Sequence, residues 1–76
     1  MENDKLKHYH KTIADAWQLF KSYYPPQDDQ EYWDRLLFDA SNMTELNGRT
    51  EFAMSIAKAV VMELERIQQE RRRAKG

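Results

Sequence analysis

Seventy-six residues make one domain near the lower limit at which an apolar core carries a fold unaided, and leave no room for a deep enclosed catalytic cavity. Hydrophobic residues are 41% and charged residues 33% of the chain, which excludes a disordered tail, and no apolar run nears the roughly 18 residues that span a bilayer. There is no cysteine and the net charge is −1, so disulfides and thiolate metal centres are excluded and no strongly basic or acidic field dominates. The charge is unevenly laid out. Residues 1–24 carry four lysines against three acids (+1), residues 25–48 six acids against Arg35 (−5), and residues 49–76 seven bases against four acids (+3).

The first predicted element is a helix over about residues 4–23. Leu6, Tyr9, Ile13, Ala16, Phe20 and Tyr23 recur at heptad-like spacing, and His10, Trp17 and Tyr24 widen the stripe. That reading puts the whole stripe, Trp17 included, against the core. Asn3 or Asp4 can cap the first turn. The polar start reads as this helix's first turn, not as an apolar leader. Pro25 and Pro26 end the helix, because the residue before a proline is pushed out of the α region and the ring removes a donor.

A second helix is expected over about residues 29–44. Asp28 followed three residues later by Glu31 is an aspartate form of the capping box, and acids there also suit the helix dipole. Trp33, Leu36, Leu37, Ala40 and Met43 form the apolar stripe, and Glu31 and Arg35 stand at i,i+4 in the favourable order. The end is open to two readings: fraying near Asn42, or continuation to Leu46 with Gly48 in a left-handed cap.

The third helix, over about residues 50–72, has Thr50 as its expected N-cap. Phe52, Ile56, Val60, Leu64 and Ile67 form its stripe, and Ala53 and Ala57 beside it would let another helix approach closely. Met54, Val61 and Met62 lie off the stripe. Short connections make consecutive helices antiparallel neighbours. The fold expected is all-α, a compact three-helix bundle over residues 1–76 in a single domain.

Few residues point to chemistry. His8 and His10 stand two apart on a helix, about 200° round it, and cannot share an ion. The acids Asp28, Asp29, Glu31 and Asp34 lack the glycine turn and terminal bidentate acid of a calcium loop, and capping already explains them. Ser22, Ser41 and Ser55 lie in no elbow or triad context, and Gly48 and Gly76 cannot form a phosphate loop. The expectation is a non-enzymatic protein with no catalytic residue, no metal, no cofactor and no small-molecule substrate, in the cytoplasm and off the membrane.

Two surfaces remain. Leu37, Phe38, Met54, Val61 and Met62 are either absorbed by the core or form an apolar partner-binding face on the second and third helices, for another protein or for a second copy in a homodimer. The basic end Arg71, Arg72, Arg73 and Lys75 is either a solvated helix end or a nucleic-acid-binding one. No aromatic interleaves with those bases, and the third helix opens on Glu51, which repels phosphate.

The run Tyr32-Trp33-Asp34-Arg35-Leu36-Leu37, then Phe52 and the stretch from Ala59 to Arg66, resembles small uncharacterised helical proteins of Gram-positive phages and mobile elements. The resemblance spans about residues 30–67 and implies a genomic setting; it carries no catalytic motif.

Overall fold

The computed structural model describes residues 2–75, and the side chains of residues 4–74. Three helices follow one another: α1 (Glu2–Tyr23), α2 (Gln30–Leu46) and α3 (Glu51–Lys75). Among the described residues there is no strand, and no helix is long and apolar enough to cross a membrane. Each helix packs on both others, in a rod of 52 × 21 × 18 Å.

The ends of the helices follow local chemistry. α1 stops at Tyr23, before the cis Tyr24–Pro25 bond. The cap of α2 differs from the sequence expectation by one residue. Asp29, not Asp28, takes the N-cap position and accepts a hydrogen bond from the Tyr32 amide at 3.3 Å. Its partner three residues on is therefore a tyrosine and no capping box forms. Asp28 is drawn instead to α3, where Arg72 and Gln68 reach it at 3.3 Å and 2.8 Å. At the other end α2 continues to Leu46. Gly48 takes the left-handed conformation (φ 76°), followed by Arg49 (φ 54°), and the Gly48 and Arg49 amides donate to the carbonyls of Glu45 and Thr44. Of the two readings of this end, the longer one holds. Thr50 caps α3 through its hydroxyl oxygen, which accepts from the Ala53 amide at 3.1 Å.

The axis is narrow because alanines line it. Ala16, Ala40, Ala53 and Ala57 are all buried, with Leu19, Tyr32, Leu36, Met43, Val60 and Leu64. Small side chains let the helices approach, so the interior holds few large groups, and ten large apolar residues among those described stay exposed.

The register of α1 corrects the sequence reading. Leu6, Tyr9 and Ile13, placed in the core by spacing, are about half exposed or more, and so are Trp17 (57%) and Tyr24. Thr12 and Leu19 are buried in their place. The helix is rolled toward Thr12, Ala16, Leu19 and Tyr23, and the wide stripe is split along its length. On α2 the inward residues include Tyr32, while Leu37 points outward and Trp33 is half-buried.

A polar clasp sets that roll. Asn47 at the α2 C-cap is 1% exposed and Thr12 fully buried. The Thr12 hydroxyl lies 3.0 Å from both Asn47 Oδ1 and the His8 carbonyl oxygen, and shares its one proton between them. Asn47 Nδ2 donates to the Met43 carbonyl oxygen at 2.8 Å and to Asp15 at 3.0 Å, and Lys11 completes the ring by donating to Asp15 at 3.0 Å. The Asn47 amide holds the Asp15 carboxyl below its ordinary 3.8; burial opposes this and Lys11 supports it.

Candidate interaction surfaces

Helical geometry divides the five sequence-predicted partner residues into two groups. Leu37 on α2, and Met54 and Val61 on α3, line one shallow groove of about 310 Å³, floored by Ala40 and Ala57 and bordered by Thr44 and Lys58. Leu37 and Met54 are exposed, and Val61 is half-buried against the core. Phe38 and Met62 each follow a groove residue by one position, about 100° further round the helix. Both are exposed and stand outside the groove. The core therefore absorbs part of Val61 and none of the other four.

The basic end is occupied differently. Arg71 donates toward the Pro26 carbonyl oxygen at 3.5 Å, Arg72 pairs with Asp28, and Gln68 donates to the Gln27 carbonyl oxygen at 3.1 Å. These side chains fasten the α1–α2 connection to the end of α3, with Pro26 buried beneath them. Arg73 is exposed, and the Lys75 side chain lies outside the described residues. The remaining acids near the start of α2 also have local partners. Glu31 faces Arg35 at 3.9 Å, and Asp34 accepts from Gln30 at 2.9 Å.

Among the described residues no three of the histidine and acidic side chains gather as a metal-ligand set. His10 is exposed, while His8 is half-buried with its Nε2 enclosed and lacking a hydrogen-bond partner. His8 borders an open cleft of about 710 Å³ where α1 and α3 begin, with Tyr9, Lys5, Glu51 and Phe52.

A second polar pair ties α1 to α2. The Tyr23 hydroxyl donates to the Asp39 carboxylate, and the Tyr32 hydroxyl donates to the Tyr23 carbonyl oxygen. Burial, with the Asp39 bond second, pushes the Tyr23 phenol from 10.0 up to about 12. A raised folded value means that the neutral phenol is favoured by folding. Its contribution is complete below pH 10, and is lost as pH rises through about 12. An alkaline titration is expected to show helical circular dichroism falling in that window together with phenolate absorbance. Tyr23→Phe should remove this share of the alkaline loss; an unchanged alkaline limb would show that Tyr23 makes no such contribution.

One surface escaped the sequence reading. Leu6, Ile13 and Trp17 on α1, with Tyr24 just past its end, form an exposed ridge backed by Tyr9 and half-buried Phe20. The signal was present: the stripe read from spacing, widened by His10, Trp17 and Tyr24, covers more of the helix circumference than two neighbouring helices can bury. No protein-family model matches the chain, and no curated protein or solved structure matches it either.

Proposed function

We propose that this chain is a non-enzymatic interaction protein that binds a partner protein through the groove between α2 and α3. The observation that carries the reading is the groove itself: Leu37, Met54 and Val61 come together from two helices over a floor of alanines. A shallow apolar trough with a methionine wall accepts the ridge of side chains along a partner's helix, since methionine adapts to irregular shapes. Thr44 and Lys58 at its border supply polar contacts for the rim. A setting in a phage or mobile element is part of the proposal, supported by the resemblance over residues 30–67, whose matching positions include the buried Tyr32, Leu36, Val60 and Leu64.

The nucleic-acid reading is the second choice. Two of its four bases, Arg71 and Arg72, already hold the α1–α2 connection, and using them on phosphate would release it. Photo-cross-linking from Leu37 in the cells that make the protein decides between the two. A discrete protein adduct that disappears in Met54→Glu, with the melting temperature kept, is expected. Absence of any protein adduct, together with gel retardation that is lost when Arg71, Arg72 and Arg73 are replaced by Gln, would overturn the proposal in favour of the second reading.

A further inference from the structure

We propose that the Leu6–Ile13–Trp17–Tyr24 ridge of α1 is covered by a second copy of this chain, about a two-fold axis that runs along the helices. This surface lies on the α1–α3 side of the rod and does not depend on the groove between α2 and α3.

The size of the ridge calls for cover. Trp17, Tyr24 and Tyr9 are each about half exposed, and Leu6 and Ile13 are 64% and 51% exposed. At 150–250 Å² per aromatic side chain, the five together leave on the order of 500 Å² of apolar surface in water. That is high in the range of about 300–600 Å² for the largest patch on a monomer. It is also more than half of the roughly 800 Å² that each side of a stable dimer buries. Phe52, Ile56 and the exposed Ala59 and Ser55 extend the face across α3. The rings are already ordered. Trp17 stacks on Phe20 at 6.3 Å with planes 16° apart, and Phe20 on Tyr24 at 5.7 Å and 22°. A rigid ridge loses little side-chain entropy on association.

Charge chooses the occupant and its orientation. α1 and α3 run parallel, with the Tyr9 and Phe52 rings in contact at 4.9 Å near their starts and α3 reaching the α1–α2 connection at the far end. Equal rise along both helices sets Lys7 level with the start of α3, Trp17 with Val60, and Lys21 with Leu64. Lys7 and Lys21 are exposed on the margin of α1 beside the ridge, fourteen residues apart and so in line with one another. On α3, the Glu63–Arg66–Glu70 ladder carries one more acid than base, and Glu51 stands at its first turn.

Two symmetric arrangements cover the ridge. An axis across the helices lays α1 on its own copy, reversed, and brings Lys7 beside the partner copy's Lys21. An axis along the helices lays α1 of each copy over α3 of the other and keeps the levels. Lys7 then meets Glu51, Lys21 meets Glu63, and Trp17 comes down over Ala59, where a small side chain leaves room. Both contacts recur by symmetry, as an isologous interface requires. Opposite charges at matched levels favour the second arrangement, because like charges brought together on association are unfavourable.

Sedimentation equilibrium over about 1 µM to about 1 mM, the range of weak to moderate affinity, tests this on the full chain. A reversible monomer–dimer equilibrium is expected, weakened at least tenfold by Trp17→Glu and by Ile13→Gln, with helical content kept because both residues are more than half exposed. Met54→Glu, in the other groove, should leave it unchanged. Lys7→Glu with Lys21→Glu should also weaken it, and adding Glu51→Lys with Glu63→Lys should restore it. A monomer throughout that range overturns the proposal. So does a dimer that survives Trp17→Glu, or a fourfold charge exchange that associates no better than the two lysine changes alone.

Discussion

Leu64→Ala is expected to cost about 2–5 kcal/mol, the most damaging single truncation in this chain. Leu64 is fully buried on α3 within the cluster that joins all three helices, beside Leu36, Ala57 and Val60. Removing its methyl groups loses their transfer free energy and leaves a cavity that a rod held by backbone-close alanines cannot collapse to fill. A domain of this size shifts its melting temperature by about 4–8 °C per kcal/mol, so thermal denaturation followed by circular dichroism should fall by at least 8 °C or so. Trp17→Ala is the informative contrast. It deletes a much larger side chain, yet one 57% exposed; area removed from water sets its cost at about 1–2 kcal/mol. If Trp17→Ala proved the worse of the two at concentrations where the chain is monomeric, the assignment of the inner face of α1 would be wrong.

Asn47→Ala is the second large effect, at about 2–3 kcal/mol, and it arises from polar groups alone. The substitution empties a buried position that pairs with Thr12, Asp15, Lys11 and the Met43 carbonyl oxygen. Buried partners left unpaired cost more than the bonds contribute when made. The loss carries a pH signature. Asn47 is the largest cause of the lowered Asp15 value, and a carboxyl whose folded value is depressed stabilises the fold above its unfolded value. That stabilisation disappears as pH falls through the folded one. The gap between the parent and Asn47→Ala should therefore narrow below about pH 4. Urea denaturation at pH 7 and at pH 3 measures both gaps; an equal difference at the two values would separate Asn47 from Asp15.

The architecture was legible because its punctuation is local. Pro25, Gly48 and the Thr50 hydroxyl act within a few residues of themselves, and the structure places helix ends beside each. The Asp28 cap was misread for the opposite reason: its partners, Gln68 and Arg72, lie forty or more residues away in the chain. The roll of α1 was hidden on the same ground. Spacing ranks Ile13 and Trp17 above Thr12 for burial, while the buried hydroxyl finds its partners in the His8 carbonyl oxygen one turn back and in Asn47, thirty-five residues on. Of the five expected partner residues, Leu37, Met54 and Val61 share one groove because flanking positions of neighbouring helices meet when the helices pack side by side. Phe38 and Met62, each one position further on, face about 100° away and stand outside that groove.

The Thr12–Asn47 contact has a bearing outside the interior. α1 carries two rival faces, and the oilier of them is the one left in water. A cylinder with grease on both sides has no preferred orientation about its long axis until something directional breaks the tie. One amide gripping one hydroxyl does so, and by choosing what is hidden it also chooses what is displayed: a row of stacked rings on the outside of the rod, fixed from within by a residue that no visiting molecule would touch.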